Sequence, residues 1–176
     1  MNKLSMPVGL DDHSLGPADA HVALVEYGSY DCPHCRQALT ILSEVRRRYN
    51  APLRFVYRHF PTMTPHSASE RAAEAAEAAG KQGKFWEMHE HLLENQHALN
   101  DADLVAYATM LGLDTRQFAA DLEGSASAEH VRRQFQSGVD SGVRSTPTFF
   151  INGVRHDDYW DAETLLTAIQ AATPSR

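Results

Sequence analysis

The sequence predicts an α/β fold: a mixed sheet flanked by helices, with a helical segment inserted into it. Three stretches carry that prediction. Residues 21–58 read as strand, helix, strand; residues 59–126 give helical signals alone; residues 127–172 read as helix, hairpin, helix. A parallel pair of strands extended by an antiparallel hairpin makes the sheet mixed. At 176 residues, 43% hydrophobic and 22% charged, the chain suits one domain, 1–176. Residues 21–58 and 127–172 form its core and 59–126 the insertion.

Residues 1–20 are a polar lead-in with Gly9, Gly16 and Pro17, read as a short extended or irregular segment without a functional signal. His21-Val22-Ala23-Leu24-Val25-Glu26-Tyr27 is mostly apolar and of strand length, and Gly28-Ser29 end it, as expected of a buried parallel strand. Ala38, Leu39, Ile41, Leu42, Val45 and Tyr49 then recur at helical spacing, and Arg46, Arg47 and Arg48 complement the dipole at that helix's C-terminus. Asn50-Ala51-Pro52 turns the chain into a second strand, Leu53 to Arg58, completing a βαβ unit.

In the insertion, Ser67 with Glu70 resembles a capping box opening an alanine-rich helix that stops near Gly80. Its Glu70, Glu74 and Glu77 are expected on one solvated face. Phe85, Met88, Leu92 and Leu93 mark a second helix; Asn100 caps a third that carries Leu104, Tyr107 and Leu111 to Gly112; Asp114 with Gln117 opens a short fourth. Phe85, Trp86, Tyr107 and Phe118 are core candidates. His89 and His91, two apart on a helix, point in different directions and are expected to be surface or packing residues.

A further helix carries Val131, Phe135 and Val139 to Gly142. Thr148–Ile151, Asn152-Gly153 and Val154–His156 have the composition of a hairpin with a primed two-residue turn. Asp161 caps a last helix with Leu165, Leu166 and Ile169.

Charge and hydropathy narrow the function. With 23 acidic and 16 basic residues the net charge is -7, so no basic field attracts nucleic acid. Apolar runs such as Val22–Val25 fall far short of the roughly 18 residues that a membrane helix needs. No signal-peptide core is visible, because polar residues interrupt Leu4, Met6, Val8 and Leu10. As written, the chain reads as cytoplasmic. An exported chain already cut from its signal would read the same way, which keeps a periplasmic or other extracytoplasmic location as the alternative.

The two cysteines, Cys32 and Cys35, share one Cys-Pro-His-Cys tetrad, which leaves no odd cysteine for a disulfide-linked dimer. Zinc would need further ligands from the histidines, and no HExxH spacing exists, so neither a metal nor another cofactor is expected. One sulfur can instead attack a foreign disulfide while the other resolves the mixed disulfide. The tetrad follows a strand and opens a helix, where unpaired N–H groups and the helix dipole favour a thiolate. Pro33 suits the first helical turn, and His34 adds a cationic or hydrogen-bonding ring beside the sulfur. Cys32 is therefore the expected nucleophile, and Cys35, one turn further in, the resolving thiol.

Two segments carry a resemblance: Leu24-Val25-Glu26-Tyr27-Gly28-Ser29-Tyr30-Asp31-Cys32-Pro33-His34-Cys35 and Gly142-Val143-Arg144-Ser145-Thr146-Pro147-Thr148-Phe149-Phe150-Ile151-Asn152-Gly153. They resemble the thioredoxin superfamily and, within it, the DsbA-like thiol-disulfide oxidoreductases, from about Val22 to Ile169. The resemblance implies a thioredoxin-like fold, a cis Pro147 facing the cysteines, and Thr146 and Pro147 lining a substrate groove. It also implies that Glu26, six positions before Cys32, is a buried acid assisting proton movement at Cys35. The partners it implies are protein thiols or disulfides and a redox partner that recycles the cysteines. Similar domains also occur attached to sodium/proton antiporters. One departure is Asp31, where the family's best-known oxidases carry an apolar aromatic residue; a carboxylate there favours a higher thiol pKa. Two other readings are a chaperone-like peptide-binding module and a glutathione-linked enzyme on the same fold; a serine at the position of Cys32 would have favoured the latter.

Overall fold

The computed structural model describes residues 3–64 and 67–174. Five strands form one mixed sheet: β1 (His13–Leu15), β2 (Val22–Gly28), β3 (Leu53–His59), β4 (Thr148–Ile151) and β5 (Val154–Arg155), in the order β1-β3-β2-β4-β5. β2 and β3 are parallel; the β1/β3, β2/β4 and β4/β5 pairs are antiparallel. The helices are α1 (Pro33–Arg48), α2 (Ala68–Gly80), α3 (Phe85–Glu94), α4 (Asp101–Met110), α5 (Thr115–Glu123), α6 (Ser125–Asp140) and α7 (Ala162–Ala171).

Strand alternation sorts the buried residues onto two faces. Leu24, Phe55, Tyr57 and Phe149 join Leu42, Phe85, Leu104 and Leu165 in the larger core; Val25, Tyr27, Val56 and Phe150 join Val143 in a smaller one. Phe85, Tyr107 and Phe118 are buried and Trp86 is half-buried, as core candidates should be. The turn between β4 and β5 uses positive φ at Asn152 (47°) and Gly153 (79°), which a primed turn requires.

Caps follow their local signals with one difference. Ser67 accepts from the Glu70 N–H at 3.1 Å, but its own N–H donates to the Thr64 carbonyl, so only half of that capping box forms. The reciprocal box is at Asn100 and Asp103. Asp114 and Asp161 cap α5 and α7.

The lead-in, read as a short extended or irregular segment, contributes an edge strand, as His13–Leu15 pair with Phe55–Tyr57. One expectation is corrected. Glu77 does not share a solvated face with Glu70 and Glu74: it is 8% exposed and hydrogen-bonds His13 and His59. Ala78 and Ala79 around it are also buried, so an alanine-rich pattern hides which turn faces inward.

Arg58 ties the lead-in down. Its guanidinium is fully buried and donates to both Asp12 carboxylate oxygens, at 2.8 and 2.9 Å, to the Met6 and Pro7 carbonyls, and to Tyr27 Oη. Removing one partner leaves a buried charge without compensation. Asp12→Ala should therefore destabilise the protein by about 3–5 kcal/mol, a fall in Tm of about 10 °C. A thermal-unfolding midpoint within a degree or two of the parent would refute this role.

Candidate active site

Because β2 ends in Gly28 and α1 opens at Pro33, the turn between them presents Cys32 as the N-cap residue of α1. An N-cap sulfur faces the unpaired N–H groups of the first turn. Cys32 is half-buried and Cys35, inside the helix, is fully buried; both are free thiols, 3.6 Å apart. The Cys32 thiol donates to the Thr146 carbonyl at 3.2 Å, across the cis Thr146-Pro147 bond that leads into β4. The two segments far apart in the chain thus meet at one sulfur.

The environment separates the two thiols. A hydrogen bond from Cys35 lowers the Cys32 pKa to about 5; partial burial opposes it, and hydrogen bonds from the Thr146 side chain and from the main chain at Cys35 and His34 add to it. Cys35 moves the opposite way, far above its ordinary value, through its hydrogen bond to Cys32, its burial and the nearby Glu26 charge. The Ser29 N–H, 3.4 Å from the Cys35 sulfur, only partly offsets this.

Glu26 is 2% exposed in β2, and its Oε1 meets no hydrogen-bond partner among the described residues. Burial, reinforced by the Cys32 charge, raises its pKa to about 8. It borders a cavity of about 90 Å³ whose walls also include Ser43, Arg46, His89 and Glu90. Arg46 and Glu90 bring polar groups to a cavity that begins at a buried carboxyl.

The remaining expected residues are near the tetrad but differently engaged. Pro33 is exposed and occupies the first turn of α1. The exposed His34 ring meets Gln37 Oε1 at 3.3 Å and the edge of Trp160 at 6.2 Å, so its help to the Cys32 thiolate comes from its main-chain N–H. Asp31 accepts a hydrogen bond from Ser29 Oγ. Thr146 is half-buried and Pro147 buried beside Cys32.

The contacts of four neighbours were not legible in the sequence. Gln96, after α3, donates from its side-chain amide to the Cys32 carbonyl at 2.8 Å. Tyr30 Oη pairs with His89 Nδ1 at 3.1 Å, and Tyr57 stacks edgewise on His89 at 4.4 Å, forming a buried aromatic layer beneath the tetrad. A contact between residues 64 apart has no local signature.

A thioredoxin family model matches residues 10–171. The chain belongs to the thioredoxin family. Its fold is the DsbA-like form. A thioredoxin-like oxidoreductase from Silicibacter pomeroyi DSS-3 superposes with a TM-score of 0.83 at 27% identity, covering 93% of both chains. BdbD from Bacillus subtilis gives 0.78 at 23% identity over 92% of each chain. Alpha-DsbA1 of Wolbachia pipientis gives 0.79 at 19% identity, over 96% of this chain and 94% of that one.

In sequence, this thioredoxin family member is 43% identical over 162 residues to the Na(+)/H(+) antiporter NhaA 1 of Mycobacterium sp. (strain KMS), covering 91% of the chain and 26% of the antiporter. The NhaA 1 antiporter of Salinispora arenicola (strain CNS-205) is 42% identical over 170 residues, 96% of the chain and again 26% of the relative. The chain therefore spans about a quarter of the length of these curated relatives. Among the described residues, no helix is long and apolar enough to cross a membrane.

Proposed function

We propose that the chain is a thiol-disulfide oxidoreductase that exchanges disulfides with protein substrates through Cys32 and Cys35. The observation that carries this reading is the pairing of a half-exposed, low-pKa Cys32 with a buried, high-pKa Cys35 at 3.6 Å. The Cys32 thiolate attacks one sulfur of a client disulfide and expels the other as a thiolate, forming a mixed disulfide. Formation of the mixed disulfide removes the Cys32 charge that had helped to keep Glu26 protonated, so the ionised fraction of Glu26 takes the Cys35 proton and the Cys35 thiolate attacks the Cys32 sulfur. The client leaves as a dithiol, two electrons richer, and Cys32 and Cys35 are joined. In the reverse direction the protein disulfide oxidises a client dithiol. A thiolate as stable as Cys32 is a good leaving group, which favours that oxidising direction. A redox partner must then restore the starting state.

Thr146 and Pro147 orient the bound chain beside the sulfur, and Pro33 and His34 form the exposed lip of the groove. The cavity below Glu26 carries its proton out toward Arg46 and Glu90. We read the chain as one domain in which residues 59–126 are an insertion over a core of 21–58 and 127–172, and Gln96 is where that insertion reaches the tetrad.

The test is a trapping experiment. With Cys35→Ser, the second attack is lost, so a peptide disulfide should accumulate as a mixed disulfide on Cys32, visible by intact mass. If no adduct forms while the variant remains folded, the proposed first step is wrong.

A further inference from the structure

Away from the tetrad, three elements bring a buried carboxylate and imidazoles together. His13 from β1, Glu77 from α2 and His130 from α6 each offer a ligand atom within 4.8 Å of the other two. We propose that these residues form a binding site for a borderline divalent cation of the zinc class, with one coordination position open to solvent.

The distances suit such an ion. Bonds of about 2.0–2.1 Å in a tetrahedron place neighbouring ligand atoms about 3.3 Å apart. His13 Nε2 lies 3.1 and 3.0 Å from the Glu77 oxygens, and His130 Nε2 lies 3.7 Å from Oε1. Two imidazole nitrogens and one carboxylate, with a fourth position left to water, are a donor set that zinc accepts.

The surroundings orient these ligands. His59 Nε2 donates to Glu77 Oε1 at 2.8 Å, the outer-sphere contact that holds a ligating carboxylate in place. Phe85 stacks flat on the His13 ring, with centroids 3.5 Å apart. His130 Nε2 lies 2.9 Å from Gln134 Nε2 and Nδ1 lies 3.1 Å from Arg133 Nη2; a neutral ring accepts at one of the two, and Nε2 is the nitrogen that faces Glu77. A metal would take the place of the Gln134 contact.

Charge and access point the same way. Burial opposes ionisation of Glu77, yet the His13 and His59 hydrogen bonds hold its pKa well below the usual carboxylate range. His59 Nδ1 is buried without a partner among the described residues, so Nε2 is the nitrogen through which this ring holds Glu77. Glu77 is a buried carboxylate, and a dication beside it supplies compensating charge. The side chains of His13 and His130 are 23% and 16% exposed, whereas that of His59 is 1%, so the open position lies on the His13–His130 side. His130 also lines a cavity of about 170 Å³ with Asp11, Asp12 and Arg133, in which the acidic groups outnumber the basic one and an ion has a way in. On binding, the His13 ring proton moves from Nε2 to Nδ1, which leaves the Nε2 lone pair for the ion. The ion would join the lead-in strand to α2 and α6.

Zinc chloride titrated into the Cys32→Ser, Cys35→Ser protein tests this, because the thiols can then take no metal. The expected result is one zinc per chain with micromolar or tighter affinity, weakened at least tenfold in His13→Gln and in His130→Gln. At a hundredfold excess over Kd, Tm should rise by about 5–10 °C. No binding at 100 μM zinc would overturn the proposal, and so would binding that neither substitution weakens. Should His13→Gln fold poorly, His130→Gln at the rim decides alone. The cluster would then be an ion-paired hub and nothing more. Failure here leaves the disulfide-exchange reading untouched, since the trapping experiment reads Cys32 separately.

Discussion

Replacing Cys32 with serine is expected to bring disulfide exchange with a small peptide disulfide down to the uncatalysed rate. The thiolate is the attacking species, and a serine hydroxyl at the same N-cap position stays protonated at neutral pH. The parent protein should carry the signature of that thiolate in its pH profile. With a pKa of about 5, Cys32 loses its nucleophile only as pH falls through that value. Alkylation by iodoacetamide should therefore climb from about pH 4 to 6 and be level from about pH 7 to 9. An ordinary cysteine, with a pKa of about 8.5, would still gain roughly tenfold per unit through neutrality. A rate still rising at pH 9 would mean that Cys35, Thr146 and the first-turn N–H groups do not stabilise the thiolate.

The Glu26→Gln substitution is expected to stabilise the protein and slow it. The Glu26 pKa stands near 8 in the folded chain, against 4.5 for an ordinary solvated glutamate. Between those values the native state holds a proton that the unfolded state has released, so stability falls as pH rises. The full contribution is present below 4.5 and has been lost above about 8. At pH 7 the loss amounts to roughly 3 kcal/mol. Glutamine has no such proton, so its Tm advantage should be small near pH 4.5 and grow to about 5–10 °C at neutrality. Differential scanning at several pH values reads this directly. The same change removes the group that takes the Cys35 proton, and release of the client from the mixed disulfide should slow by about 10²-fold. A variant with parental release rates would separate Glu26 from the proton transfer, whatever its stability.

The two predictions rest on residues that differ in how they could be found. Cys32 and Cys35 announce themselves, since two thiols three apart after an apolar run and before a helix have few structural uses. Glu26 was marked by its spacing from Cys32 within a resemblance, while its orphaned Oε1 and the cavity beside it are facts of packing. His34 is a mixed case. Its place in the tetrad suggested a ring beside the sulfur, but the ring turned to Gln37 and Trp160 because it is exposed at the helix start and free to choose its neighbours.

Helices and strands follow from short-range rules: apolar spacing along α1, the Asn100–Asp103 box, the Asn152-Gly153 turn. Those rules act over a few residues, so sequence alone determined the α/β class, the order of nearly all elements and the position of the Cys-Pro-His-Cys tetrad between a strand and a helix. Glu77 shows the limit. Its helix was readable, but its burial depends on His13 and His59, which lie 64 and 18 residues away. The same holds for His13–Leu15 on the sheet edge, for Asp12 beneath Arg58 and for Gln96 on Cys32. Each is a polar group or short segment whose partner comes from a distant element. A lone polar residue carries no periodicity, and only the assembled sheet and its covering helices decide whether water or a buried partner satisfies it.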